Sequence, residues 1–349
     1  MPISRQHKAF YNTFAQHGSG VALVKVEPKD IILLIHIAYM DIFEEEPEWF
    51  ISEFAELAKK NFYDISANMI ISLPTKSEED AIAFLQLCGA TNADNIIYLY
   101  LKNLSELYRR RFKFHNILRS QPFPLTEQIG LRSLLEYGNC ADDLLFSWMS
   151  WRKWIYDIDN RSAQETGYLF EPIMASCLGG ESISHKNSPV KRISEAGEPT
   201  NEGRQIDCYL ENEKEAYELK MRVTIAASGQ GRLSEEMSFP FEAKMAGLRP
   251  ILIVFDPTPS ALLDKLKAKY IEEGGSYAIG EDAWRVLTDK AGDEMGRYIL
   301  KYFKPLITKM ESERTELPAN IHLRTTREQL VVHDDNGNEY VIPRNTVME

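Results

Sequence analysis

The chain has 349 residues, enough for about two domains. Apolar residues make up 44% and charged residues 26%, ordinary globular usage that excludes a disordered or fibrous chain. Forty Lys and Arg stand against 52 Asp and Glu, a net charge of −12, which excludes nucleic-acid binding through overall basicity and leaves a local basic site open.

Four cysteines (Cys88, Cys140, Cys177, Cys208) lie far apart without Cys-x-x-Cys spacing, as reduced core thiols of a cytoplasmic protein do. The first residues lack the apolar stretch of a signal peptide, and the longest apolar run, 31–40, is broken by His36 and too short to span a bilayer. The expectation is a soluble chain with no membrane partner.

In chain order, residues 1–160 read as mainly helical. Ile51, Phe54, Leu57 and Ala58 follow a 3.6-residue period, as do Leu101, Leu104, Leu107 and Tyr108. Ser77 before three acidic residues marks a helix start that Gly89 ends. Trp148, Trp151 and Trp154 recur at threes and read as a helix face packed in a core. From 41 to 56 the chain is acidic (Asp41, Glu44, Glu45, Glu46, Glu48, Glu53, Glu56). From 101 to 119 it is basic, with Arg109, Arg110, Arg111 and Lys113 clustered. Such runs are commonly solvated helix faces, yet this cluster also has the composition of a phosphate footprint.

Near 180 the texture changes. Gly179-Gly180 closes a helix, and 181–203 is polar and rich in loop formers. Strand-like runs follow at 205–210, 216–223 and 251–255, with helical patterns at 260–272 and 281–288. The alternation argues an α/β core between about 160 and 305. Two apolar runs around Asp-Asn-Gly, 329–333 and 339–342, carry a β-hairpin signal.

The chemistry concentrates in 204–223. Read with a period of two, Ile206, Cys208 and Leu210 share one face and Asp207 and Tyr209 the other; in the next strand Glu218 and Lys220 oppose Tyr217, Leu219 and Met221. Antiparallel pairing would gather Asp207, Glu218 and Lys220 on one surface. Two close carboxylates repel unless a divalent cation lies between them, and hard oxygen donors suit Mg²⁺. A lysine alongside can orient or deprotonate a water, which together makes a phosphodiester hydrolase. An ordinary surface hairpin with a Glu–Lys pair has the same spacing.

The stretch resembles the PD-(D/E)XK nuclease superfamily, with Asp207 in the Asp position, Glu218-Leu219-Lys220 as the (D/E)XK element and Ile206 in place of the proline. The resemblance implies an α/β fold with a central mixed sheet flanked by helices, here with a large helical N-terminal region and a small C-terminal hairpin. It also implies that the helix 167–180 carries a third acid, Glu171, as metal ligand or water tether. Pro172 is awkward there, and a helix-surface glutamate is the plain alternative. Between Glu-x-Lys and the apolar strand, Gly229 and Gly231 would let backbone approach DNA, with Ser228, Gln230 and Arg232 as contacts; a simple turn fits equally.

The whole chain is most similar to type II restriction endonucleases, in particular the ApaLI-like group. That resemblance implies a bacterial cytoplasmic enzyme, Mg²⁺ held by Asp207, Glu218 and Glu171, and Lys220 positioning the attacking water. It implies double-stranded DNA as substrate, a palindromic target and a homodimer with one site per strand. Residues 1–160 would then contact DNA or dimerise, 161–305 would be the nuclease core and 306–349 an extension. A structure-specific repair nuclease on the same core, or a non-catalytic helical DNA-binding or interaction module, are the alternatives. No P-loop, Gly-x-Ser-x-Gly elbow or His/Cys metal spacing is present.

Overall fold

The computed structural model describes residues 5–17, 24–135, 142–194, 197–221, 230–305, 308, 322–326, 328–335 and 337–344. They form two compact units, one from described residues of 1–166 and 310–349, the other from those of 167–309.

The first unit begins with α1 (Arg5–Ala15), the short strands β1 (Gln16–His17) and β2 (Val24–Lys25), and α2 (Pro28–Phe43). α3 (Ser52–Ala58), α4 (Ala67–Ile71), α5 (Glu78–Leu87), α6 (Ile96–Ser120), α7 (Thr126–Leu135) and α8 (Asp142–Cys177) follow. The apolar run at 31–40 is the centre of this unit: every residue of α2 from Asp30 to Ala38 is buried. A helix apolar all round must be enclosed by others, and α3, α5 and α6 pack against it. No described helix is long and apolar enough to cross a membrane. α2 starts where Pro28 fits a first turn and the Glu27 amide donates to Asp30 Oδ2 at 2.8 Å. Ser77 caps α5 as expected, its hydroxyl accepting from the Asp80 amide at 3.1 Å.

The tryptophan triplet does not form one core face. Trp154 is buried and donates Nε1–H to the Gln121 carbonyl at 3.2 Å, Trp151 is half-buried, and Trp148 is 61% exposed. At about 100° per residue, a step of three falls 60° short of a full turn, so the stripe winds off the buried side.

The second unit contains the end of α8, from Gly167, and a five-stranded sheet of order β3-β6-β7-β8-β9. Its strands are β3 (Glu181–Ile183), β6 (Ile206–Leu210), β7 (Glu215–Lys220), β8 (Arg249–Val254) and β9 (Ser276–Ile279); β4 (Lys191–Ile193) and β5 (Pro199–Gly203) pair separately. β3, β6 and β7 run antiparallel, while β7, β8 and β9 are parallel, the sheet thus being mixed. Parallel neighbours need crossovers, and α9 (Gln230–Met245) and α10 (Ala261–Glu272) supply them. Both cover one face, packing Phe239, Ala243, Leu263, Leu266 and Tyr270 on Ala216, Leu252 and Val254. On the other face Trp284 of α11 (Glu281–Tyr302) meets Phe255 at 4.4 Å between ring centroids.

The region 181–203, expected as loop, holds β3, β4 and β5. These strands are short and largely polar, so they carry no apolar alternation, and backbone pairing with a few apolar anchors such as Ile183 forms them. At Gly203 a Cβ would stand 1.9 Å from the His185 carbonyl oxygen, which only glycine allows. α11 runs well past 288, through a break at Gly292 with φ of 71°. In the first unit, β10 (His322–Thr325), β11 (Gln329–His333) and β12 (Glu339–Pro343) form an antiparallel sheet. Leu330 of this sheet packs with Ile117, Trp154 and Ile158, and the Arg344 guanidinium lies 4.1 Å from the Phe123 ring centroid.

His36 is the titratable group inside the aromatic layer of the first unit, ringed by Trp49, Phe50, Phe54 and Phe84. Its Nδ1–H donates to the Ile32 carbonyl at 2.8 Å and its Nε2 accepts from the Ile51 amide at 3.0 Å, so the ring is neutral. Burial pushes its pKa down to about 4. The unfolded chain therefore takes up a proton that the folded chain refuses. Stability present above the ordinary value of 6.5 is lost as pH falls toward 4, by about 3 kcal/mol. Urea unfolding between pH 7 and 4.5 should show this slope, and His36→Gln should flatten it.

Candidate active site

The candidate site lies on the α9/α10 face of the sheet, where β6 and β7 stop pairing. Their antiparallel register sets Cys208 against Tyr217, so the next residues outward, Asp207 and Glu218, stand across from each other. At that point Asp207 Oδ2 accepts the amide of Leu219 at 2.9 Å, a side chain taking over from the backbone ladder. Ser182 of β3 holds the other side of the strand by donating to the Asp207 carbonyl at 2.7 Å. Asp207 is therefore buried and fixed, while Glu218 and Lys220, two residues apart, emerge half-buried on the same face.

Lys220 Nζ lies 3.2 Å from Glu218 Oε1 and 2.8 Å from Glu236 Oε2, and all three side chains are at most 21% exposed. Burial opposes the ammonium, but Glu218 and then Glu236 outweigh it and hold the Lys220 pKa above its ordinary value. The lysine is thus a charged donor, suited to orient a water or a phosphate oxygen rather than to take a proton.

The carboxylates lack such compensation. Burial, then Glu218 and Glu171, raise the Asp207 pKa well above the usual range, against the Leu219 amide and Lys220. Burial and Glu218 likewise raise that of Glu171. Tyr270 of α10, buried nearby, feels burial first and then the same charges, Glu218, Asp207 and Glu236. Glu171 reaches the cluster from the tail of α8, which continues through Pro172 without ending. Its carboxylate folds back one turn, and a Cβ at Gly167 would lie 2.9 Å from Glu171 Oε1. Glycine at 167 leaves that space.

Four carboxylates facing one ammonium leave the site with a large negative excess, and their oxygens are the donor type a hard divalent cation takes. As the side chains stand, no three His, Cys, Asp or Glu groups among the described residues close around one ion. Glu218 is turned to Lys220, and one Asp207 oxygen is turned to the Leu219 amide.

Comparison with known proteins decides the family. The family model for ApaLI-like restriction endonucleases matches residues 64–304. The chain belongs to that family. It is 43% identical over 264 residues to the type II restriction enzyme ApaLI of Acetobacter pasteurianus, an alignment covering 73% of this chain and 68% of the relative. No solved structure matches the chain.

In this ApaLI-like endonuclease the other expected contact residues fare differently. Arg109, in the first unit, is buried and donates to the carbonyls of Thr13, Phe14 and Gln16 at 2.6–3.3 Å, closing the end of α1; it also pairs with Glu106. Lys113 is buried in an ion pair with Glu165 at 2.9 Å. Arg110 donates to the Thr166 hydroxyl at 2.9 Å. The phosphate footprint expected at 109–113 thus falls, for Arg109 and Lys113, on buried side chains paired within the first unit. The side chains of Arg111, Gln230 and Arg232, and the whole of Ser228 and Gly229, lie outside the described residues.

Glu236 is not among the residues that the sequence pattern singles out for the site. Its signal was there: Glu236, Phe239 and Ala243 fall at i, i+3 and i+7, which places the acid on the sheet-facing side of the helix after Glu-x-Lys.

The strained carboxylates yield a test of the site by stability. A group whose folded pKa is raised favours folding below its unfolded pKa, and that contribution is lost as pH rises through the folded value. Folding of the metal-free protein thus opposes ionisation of Asp207. Asp207→Asn, which keeps an acceptor for Leu219, should stabilise the second unit in EDTA by about 1 kcal/mol, seen as a higher thermal midpoint, and should lose this advantage below pH 4.

Proposed function

We propose that this type II restriction endonuclease hydrolyses double-stranded DNA in a divalent-cation-dependent reaction on a PD-(D/E)XK site of Asp207, Glu218 and Lys220. The observation that carries the reading is Asp207 and Glu218 set across from each other beside a charged lysine, with Glu171 close enough from α8 for its charge to act on both, where the Leu219 amide holds Asp207. Carboxylates that repel in the absence of a counter-ion are what a cation site requires.

In this reading Asp207, Glu218 and Glu171 hold Mg²⁺. When bound, the cation supplies neutralisation of the charge developing on the phosphoryl oxygens. Asp207 contributes a fixed oxygen, because its second oxygen is tied to the Leu219 amide. Glu218 contributes its carboxylate on leaving Lys220. The ammonium of Lys220 donates to the attacking water or to a non-bridging phosphate oxygen and orients the water in line. A bond forms from the water oxygen to phosphorus as the bond to the 3′ oxygen breaks, leaving a 5′-phosphate and a 3′-hydroxyl. Glu171 tethers the cation or the water from α8.

The relative's name as a type II restriction enzyme supports a specific duplex sequence as target, and we take that target to be palindromic, read by a homodimer with one site per strand. The first unit then serves DNA contact or dimerisation.

Plasmid DNA incubated with the protein and Mg²⁺ should give discrete fragments, and chelation should abolish them. Lys220→Ala should slow single-turnover cleavage roughly 100- to 1,000-fold, and Asp207→Ala should do so at least as strongly. Full cleavage by both variants would reject this site. Preference for branched over linear duplex DNA would replace restriction by a repair reading.

A further inference from the structure

Glu236 is outside the motif that the resemblance supplies, yet it makes the shorter of the two contacts to Lys220, 2.8 Å against 3.2 Å for Glu218. The solvent-shielded Oε2 of Glu236 has Lys220 as its ion-pair partner and makes no hydrogen bond among the described residues. The helix that bears it is pinned on both sides of this position. Phe239 and Ala243 are buried in the core under the sheet. Arg204, from the segment leading into β6, donates to the Glu235 carbonyl and pairs with Glu242 at 3.7 Å. The fold therefore sets where α9 presents Glu236, independently of the strand that carries Glu218 and Lys220.

This arrangement resolves a conflict in the site. Glu218 is needed for a cation and is also a counter-charge of Lys220. With Glu218 as sole partner, any cation that drew it away would leave a part-buried ammonium unpaired, which burial strongly disfavours. A second carboxylate, fixed by a different element, removes that penalty.

We propose that Glu236 is a positioning residue, holding the Lys220 ammonium from α9 so that Glu218 is free to exchange from the lysine to a divalent cation. The inference rests on the reading of Asp207, Glu218 and Lys220 as the hydrolytic site. Glu236 itself touches neither cation nor phosphate. Without its reach, Lys220 falls back on Glu218 and competes with the cation for it.

The test uses Glu236→Asp, which keeps the charge and withdraws it by one methylene, alone and combined with Lys220→Met. Mn²⁺ binding to the DNA-free protein is followed by calorimetry, and cleavage by single-turnover kinetics. Glu236→Asp should weaken Mn²⁺ binding and slow cleavage each by roughly tenfold, while DNA affinity in EDTA is unchanged. In the Lys220→Met background the same change should leave Mn²⁺ affinity unaltered, because no ammonium remains to compete for Glu218. An equal loss of Mn²⁺ affinity in that background would overturn the proposal, since Glu236 would then be a ligand itself. A lowered thermal midpoint with normal binding and cleavage would overturn it too, reducing Glu236 to packing. Failure of the underlying site has a separate signature: Asp207→Ala would bind Mn²⁺ and cleave as the unaltered protein does, whatever Glu236→Asp showed.

Discussion

Repulsion among carboxylates crowded on one sheet face is the constraint around which the second unit is built. Asp207, Glu218 and Glu236 reach the face from β6, β7 and α9, Glu171 acts on Asp207 and Glu218 from α8, and Lys220 is the ammonium set among them. Such a cluster does not assemble for its own stability. Burial disfavours the charges of Asp207 and Glu171, and Glu218 disfavours both further. What keeps the groups in place is the surrounding structure: the Leu219 amide on Asp207, the glycine that makes room for the Glu171 carboxylate, and a helix anchored by Phe239, Ala243 and Arg204. Rigid elements impose the proximity that the charges resist, and a binding site stores energy in this manner.

The same geometry explains why Asp207 and Glu218 have different freedom. β6 and β7 pair only up to Cys208 and Tyr217, and beyond them the Leu219 amide would be an unpaired donor. Asp207 satisfies it, so one of its oxygens is structural and the other is available. Glu218 faces no such amide and is restrained by a flexible lysine instead. One ligand is fixed and one exchangeable, in a pair facing each other across the ladder.

The sequence was most legible where a short period decided the face. Alternation of two separates Asp207, Glu218 and Lys220 from Cys208, Tyr217 and Leu219, and the described strands keep that separation. The apolar run 251–255 similarly reads as a buried strand because it lies between covered faces, as β8 does. Legibility failed where tertiary contacts choose among equal local options. Nothing in Arg109-Arg110-Arg111 tells that Arg109 turns inward to three carbonyls at the end of α1, more than ninety residues away. Nothing in Trp148-x-x-Trp151-x-x-Trp154 tells which of the three meets Gln121. Polar strands such as β4 and β5 are invisible because pairing, not side-chain pattern, makes them. The periodicity of α9 puts Glu236 on the sheet-facing side, but its partner Lys220 is set by how α9 packs on the sheet.

The net charge of −12 acquires a location from these contacts. Arg109 and Lys113, the basic residues that looked most like a phosphate footprint, are spent on neutralising the interior of the first unit, and the second unit concentrates acids where a phosphate would have to arrive. An anionic backbone approaching that face meets repulsion at short range, where screening by monovalent salt is weak. On the proposed reading a divalent cation therefore has two duties on the same carboxylates. Held by Asp207, Glu218 and Glu171, it would stabilise the charge developing in the reaction, and it would offset the acids that otherwise repel the scissile phosphate. Lys220, already balanced by Glu218 and Glu236, cannot perform the second duty alone, since its charge is cancelled twice over until one of those carboxylates takes another partner. Admission of substrate and activation of the site would then be one event, governed by where Glu218 points.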